Sequence, residues 1–339
     1  MNHSRLRPIF SRTTFVTLLA SISAFTSVKA EDIPSLPRKG VPGFGALGNL
    51  GMIPASSPTL TYSGWITPQQ VPGEVEQHRL TLQSPVYHDA KNTVSLSAGG
   101  TSLHFGAPET LSDSGIQVPV DLWKIELGGA YSHKMEDEKI WGARLSLGSA
   151  SDHPFANFDV TTIGASAYYS WTTSEHSRWM LTLLFSNNNP IMNYAPIPGF
   201  IYIYQTKTFV GMFGFPFSSV VWTPTEKWMY TLSVFGPTIN SEIAYGHPKG
   251  TQVFTGFSWL QQSYLRENRP DPKDRLYFSE KHIPLGTRFP ITKDVKSELA
   301  IGYSFSRSVY EGTSFHSKDD GIATLGNSWY ASWNFRMEF

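Results

Sequence analysis

Apolar residues return at every second position along most of this chain, and that period limits what it can fold into. In LWKIELGGAY (122–131), Trp123, Ile125, Leu127, Gly129 and Tyr131 share one side, while Lys124, Glu126, Gly128 and Ala130 share the other. In IWGARLSLGS (140–149), Trp141, Ala143, Leu145 and Leu147 oppose Gly142, Arg144, Ser146 and Gly148. In KSELAIGYSF (296–305), Leu299, Ile301, Tyr303 and Phe305 oppose Lys296, Glu298, Gly302 and Ser304. Period two is the signature of strands with one apolar face.

Two architectures bury such a face: a soluble sandwich, in a core, or a membrane barrel, in lipid. Charged residues are only 16% of the chain, where about 25% is usual for a soluble domain. Aromatic residues reach 14%, and many stand at strand ends, as in Trp123, Trp141, Trp171, Trp179 and Trp228. The second face is Gly, Ser and Thr with scattered charge, which suits a barrel interior. No uncharged apolar run after residue 30 approaches 18 residues, so spanning helices are excluded. The expected fold is an all-β, transmembrane, antiparallel outer-membrane β-barrel. Strand candidates are 76–84, 93–104, 121–132, 139–149, 159–172, 177–187, 199–211, 216–223, 227–235, 238–246, 251–264, 273–282, 295–308 and 327–339. The section from 199 to 246 is ambiguous, and the expectation is about 12 strands, with 10 to 14 open.

The first thirty residues read as a secretory leader. Arg5, Arg7 and Arg12 are basic, Phe15 to Phe25 is a short apolar run, and Val28-Lys29-Ala30 offers a cleavage site after Ala30. Without them the chain carries 23 basic and 27 acidic residues. That mild acidity excludes nucleic acid as a partner. There is no cysteine, so disulfides, thiol nucleophiles and Cys-ligated metals are excluded.

The last strand, WYASWNFRMEF, sets Trp329, Ala331, Trp333, Phe335, Met337 and Phe339 outward, with Tyr330, Ser332, Asn334, Arg336 and Glu338 on the other face. Ending on a terminal Phe, it resembles the signal by which Gram-negative outer-membrane proteins reach the barrel assembly machinery. Residues 31–74 differ in kind: rich in Gly and Pro, without a period, they are expected as a periplasmic lead-in or a small lumen plug. The barrel is expected over 75–339. Counting back from a last strand ending in the periplasm places 265–272 and 310–326 outside.

In the middle of the chain APIPGFIYIY, GFPFSSVVWTP and KWMYTLSVFGP follow one another closely; later comes SELAIGYSFSRSVYEG, and earlier HRLTLQSPVY precedes VSLSAGGTSLHF. This order resembles an uncharacterised family of Gram-negative outer-membrane β-barrel proteins, over roughly residues 75–339. The resemblance implies a fold and an outer-membrane location and supplies no reaction or ligand. Pro196, Pro198, Pro216 and Pro224 cannot donate ladder bonds and belong at strand ends, bulges or turns.

No catalytic, cofactor or metal site is assigned. His78, His88, His104, His133, His153, His176, His247, His282 and His316 include no i, i+2 or i, i+4 pair, and HExxH and GxSxG are absent. Asp152 with His153, and Lys318-Asp319-Asp320, read as solvated loop charges. The inferred lumen carries Arg79, Lys124, Glu126, Arg144, Lys296, Glu298, Arg336 and Glu338. Mixed charge of this kind lines a small polar channel or pairs across a narrow lumen and seals it. A narrow channel or transporter for a small or hydrophobic solute is therefore the first expectation. A closed structural or surface-binding barrel is the alternative, and a lipid-modifying barrel enzyme the third. The expected partners are outer-membrane lipid and lipopolysaccharide, the assembly machinery, and a small solute.

Overall fold

The computed structural model describes residues 54–55, 57–68, 73–189 and 194–339. The leader, and residues 31–53 of the expected lead-in or plug, lie outside the described residues. The strands are β1 (Thr59–Ile66), β2 (Val75–His88), β3 (Asn92–Phe105), β4 (Asp121–Lys134), β5 (Ile140–Ser151), β6 (Thr161–Ser174), β7 (Ser177–Ser186), β8 (Ile197–Gln205), β9 (Phe209–Phe215), β10 (Phe217–Trp222), β11 (Trp228–Phe235), β12 (Thr238–Gly246), β13 (Gln252–Tyr264), β14 (Arg275–Pro290), β15 (Val295–Gly312), β16 (Ile322–Leu325) and β17 (Ser328–Glu338). Neighbours in sequence pair antiparallel from β1 to β15. β17 pairs with both β15 and β1, from Thr59 opposite Glu338 to Ile66 opposite Ala331. The sheet thus closes on itself and leaves no unpaired edge to lipid.

β16 and β17 lie end to end along β15, against Arg307–Tyr310 and Val295–Ser304 respectively, and form one stave broken at Gly326 and Asn327. The wall therefore has sixteen staves, not the expected twelve or so. Two features account for the difference. β1, TLTYSGWI, lies among glycines and prolines within the segment expected to be lead-in or plug. The chain from 197 to 246 holds five staves, β8 to β12, of 9, 7, 6, 8 and 9 residues. There the period is faint because both faces are apolar: Ile201 and Ile203 are buried inside while Tyr202 and Tyr204 face out. The run expected as one strand over 199–211 is β8, a turn at 206–208, and the start of β9.

The two ends of the barrel differ. At the end holding Glu338 and Thr59 the connections are tight turns: 89–91, 135–139, 175–176, 206–208, 223–227, 247–251 and 291–294. At the other end lie 67–74, 106–120, 152–160, 187–196, 265–274 and 313–321. Short periplasmic turns and longer outer loops are the rule for such barrels, and the segments expected outside, 265–272 and 310–326, fall at the end with the longer connections.

The outward face is apolar, with Leu145 69% exposed and Leu127 61% exposed. A row of aromatic rings follows the tight-turn end: Tyr131 with Trp141 at 5.3 Å, Trp179 with Tyr202 at 5.0 Å, Trp228 with Tyr245 at 4.9 Å. Tyr303 and Trp329, 5.4 Å apart, stand toward the outer end. Such girdles mark the two membrane interfaces. No described helix is long and apolar enough to cross a membrane; this wall crosses with strands.

Stave height varies greatly. β14 has 16 residues and β15 has 18, but β9 and β10 have 7 and 6. The outer connection between β9 and β10 is Pro216 alone, and that between β11 and β12 is Gly236-Pro237. Proline carries no backbone N–H, so these hairpin tips leave fewer donors to satisfy.

Candidate functional site

The inward face of the wall is the candidate site. Side-chain alternation brings all eight lumen charges read from the sequence to this face, and the structure adds partners that the sequence reading missed. Near the periplasmic end Arg288 of β14 bridges two carboxylates. Its Nε donates to Glu298 Oε2 at 2.7 Å, and Nη1 and Nη2 donate to Glu242 at 3.2 and 2.9 Å. The guanidinium lies 5.0 Å from the Phe254 ring centre. A planar fork held by two carboxylates and an aromatic face is an arginine geometry that lysine cannot reproduce. Arg288 was missed because the strand candidate ended at 282, whereas β14 runs to Pro290.

On the opposite wall Arg144 of β5 donates to Glu126 of β4. Arg79 and Lys124 are exposed to the lumen and make neither a hydrogen bond nor an ion pair among the described residues. Arg336 and Glu338 pair with each other at 3.1 Å at the periplasmic rim.

Midway up, a second charged group is fully buried. Glu280 and His282 of β14 approach to 2.9 Å, without hydrogen-bond alignment, and Arg307 Nε stands 3.6 Å from Glu280. Arg307 Nη1 donates to the Gly326 carbonyl at 2.9 Å, at the break between β16 and β17. Trp65 and Tyr330 flank the His282 ring at 5.4 and 4.6 Å. Removing one member of such a group strands a buried charge.

The outer third of the lumen is apolar and filled. Val75, Leu103, Phe105, Leu122, Leu276 and Phe278, from staves on both sides, form one cluster with Leu111 and Val118 of the loop 106–120. That loop folds inward as a small hairpin, with Leu111 N–H donating to Ile116 O and Val118 N–H to Glu109 O. Leu111 is 0% exposed and Val118 2%; burying each contributes about 1.5–3 kcal/mol. Ser114 ties the hairpin to Asp320 of the loop 313–321 through both its N–H and its Oγ.

Bonds also cross the mouth from wall to wall. Gln262 of β13 donates to Gln77 of β2 at 2.6 Å, and Leu265 N–H donates to Ala150 O of β5 at 2.7 Å. Glu267 N–H donates to Asp152, Arg269 to the Asp159 carbonyl, and Arg275 of β14 to Asn188. Asp152, read as a solvated loop charge, is in fact an acceptor in this closure.

Histidine and serine meet in cross-strand register at His78 with Ser102 and at His282 with Ser304. The His78 ring bonds Tyr62 and Glu76 instead, and no hydrogen bond joins His282 to Ser304. The described residues contain no group of three or more His, Cys, Asp or Glu placed to hold a metal ion. The molecule is a closed antiparallel β-barrel with an apolar outer face.

No family model matches the chain, and no curated protein sequence matches it. Solved structures similar in strand architecture include the Pseudomonas putida toluene transporter TodX, at 9% identity over 86% of this chain and 91% of that one, with a TM-score of 0.37. A Pseudomonas aeruginosa FadL homologue shows 14% identity over 84% and 90%, with a TM-score of 0.34. The β domain of the Bordetella autotransporter BrkA shows 8% identity over 84% and 100%, with a TM-score of 0.29. These likenesses transfer no residue roles.

Proposed function

We propose that this protein is a narrow outer-membrane channel or transporter for a small solute, in a closed state. The observation that carries the reading is the division of its lumen. Charged groups line the lumen from Arg79 and Lys124, both exposed, down to Arg288 and Arg336, while the outer end is filled by an apolar cluster that joins wall residues from both sides to the loop hairpin. A barrel needed only as a scaffold has no use for exposed lumen cations that lack an ion-pair partner among the described residues. The bonds across the mouth favour the second reading, a permanently sealed structural or surface-binding barrel.

The leader is cleaved after Ala30 on this reading, and β17 delivers the chain to the barrel assembly machinery. The outward face then meets outer-membrane lipid, with lipopolysaccharide on the outer side. Residues 31–53 are a periplasmic lead-in or a plug beneath the hairpin.

The test is single-channel conductance of the refolded chain in planar bilayers, in three forms. They are residues 31–339, the same chain lacking 31–53, and the chain with 107–119 replaced by a short Gly-Ser link. Conductance that appears only on replacing 107–119 supports a gated channel with the hairpin as its gate. Conductance on removing 31–53 makes that segment the plug. Silence from all three folded forms overturns the channel reading in favour of the sealed barrel.

A further inference from the structure

Lumen charges are mostly used up in pairs. Glu126 is held by Arg144, and Glu242 and Glu298 share Arg288. Among the described residues three lumen cations are left over: Lys296 near the periplasmic rim, and Arg79 and Lys124 on adjacent parts of one wall. Arg79 of β2 and Lys124 of β4 both stand opposite Thr101 of β3 in the cross-strand register, so the three form one row across the lumen face. Two strand spacings separate the outer pair, about 10 Å between backbones. Each side chain is long enough to turn toward the space between them. Both are exposed to the lumen, and neither has a hydrogen-bond or ion-pair partner among the described residues. Thr101 sits between them with its hydroxyl on the same face. With Arg144 the local balance is three cations to one carboxylate, and that carboxylate is already engaged.

We propose that Arg79, Thr101 and Lys124 form an oxyanion-binding site on the lumen face just beneath the apolar cluster, taking a carboxylate or phosphate group of a small solute. The guanidinium offers a planar pair of donors, the ammonium a point charge, and the hydroxyl a third donor. An anion there neutralises two cations whose nearest described carboxylate, Glu126, is already paired with Arg144. The Arg288 group on the far wall shows the contrast, because its cation already carries two carboxylates. The inference deepens the channel reading and rests on it for the transport measurement, but binding can be measured without transport.

The first measurement is equilibrium binding of inorganic phosphate to the folded full-length barrel in a neutral detergent. Saturable binding is expected, weakened at least tenfold in the double variant Arg79→Gln, Lys124→Gln. Heat-modifiable migration on gels checks that the variant is folded. Glu126→Gln removes the nearest carboxylate among the described residues and should tighten phosphate binding, so the site is tested in both directions. The second measurement is reversal potential across a tenfold KCl gradient in the chain with 107–119 replaced. Anion preference is expected, and it should fall toward parity in the double variant. Phosphate binding that is absent, or unchanged by the double variant, overturns the site even if the barrel conducts. Binding that follows the variants in a barrel that never conducts keeps the site and removes the channel reading.

Discussion

Ser306 turns Arg307 into the barrel. Its backbone takes φ of 50°, and pairing with β14 skips one residue between Phe305 and Ser308. The extra residue reverses the alternation of β15. Leu299, Ile301, Tyr303 and Phe305 face lipid, and Arg307, Val309 and Glu311 then face inward. Without the bulge Arg307 would point into hydrocarbon. The left-handed conformation costs a non-glycine residue roughly 1 kcal/mol. Ser306→Gly should therefore raise the urea midpoint of refolded barrel by up to about 1 kcal/mol in stability, while Ser306→Val should lower it by more than that. Equal midpoints for the two variants would sink the bulge argument. Glu280→Gln, which strands the buried Arg307, should cost about 3–5 kcal/mol in the same assay.

Gly302 and Tyr330 make a second device of this kind. They face each other across β15 and β17, and a Cβ on Gly302 would lie 2.5 Å from the Tyr330 ring. The ring lies over the glycine and against His282. Gly302→Ala should cost about 1–3 kcal/mol by overpacking. The loss should shrink in the background Tyr330→Leu, because the clash has gone. A double-mutant cycle measures the coupling, and additive effects would show that the ring does not depend on the glycine.

The sequence reveals the wall far better than it reveals its inside. Long staves such as β4, β5 and β15 follow from alternation because lipid demands one apolar face throughout. All eight expected lumen charges lie on the inner face for the same reason. The strand number does not follow, since β8 to β12 are short and apolar on both sides, and β1 is too brief to stand out among prolines. Nor does the lumen closure. The segment 106–120 falls between the strand candidates 93–104 and 121–132, and only contact with Leu103, Phe105 and Phe278 makes Leu111 and Val118 core residues. Arg307 was legible as a charge but not as an inward one, because a bulge is a one-residue irregularity without a composition of its own.

The outer mouth should tighten in mild acid. Asp274, in the loop 265–274, has its carboxyl pushed above the ordinary range by burial first, and then by Asp271, Asp320 and Asp319. A raised folded-state value means that folding penalises the ionised form. The stabilising contribution is present below the unfolded value and is lost as pH rises through the raised one. Protease cleavage within 265–274 of the folded barrel should be slower at pH 4 than at pH 7, and Asp274→Asn should remove much of that difference. A cleavage rate independent of pH would contradict the assignment.

The hairpin of 106–120 should be the weakest part of the closure. Its hold on the wall depends on a few apolar side chains, of which Leu111 is the most deeply placed. Leu111→Ala removes about 2–5 kcal/mol of packing from a segment otherwise tied by the Ser114–Asp320 and Ile322–Ser112 hydrogen bonds, while the sixteen-stave wall is untouched. Added protease should then cut 106–120 in intact membranes at least tenfold faster than in the parent, with no change in the thermal midpoint of the barrel. A fall in that midpoint, with cutting unchanged, would show that the hairpin is part of the wall's stability and not a separable gate.

The low sector of the wall should end within the membrane. A tilted strand gains about 2.5 Å of depth per residue, so the six residues of β10 reach about 15 Å, while the apolar band is about 25 Å tall. The periplasmic ends of these staves are fixed at the interface by Trp222, Trp228 and Tyr230. Their outer ends carry Phe213 and Phe215, exposed and outward. On the tall side Trp123 stands near the outer end of β4. The chain has no cysteine, so single spin labels at Phe215→Cys and Trp123→Cys report depth without background. Collision with oxygen should exceed collision with a polar nickel complex at 215, and the order should reverse at 123. If both labels lie at the same depth, the outer rim is level and the staves β9 and β10 are tilted less than the rest. If 215 is the deeper, lipid chains pass over the tips at Pro216 and Gly236-Pro237, which explains why a residue without an N–H stands at each.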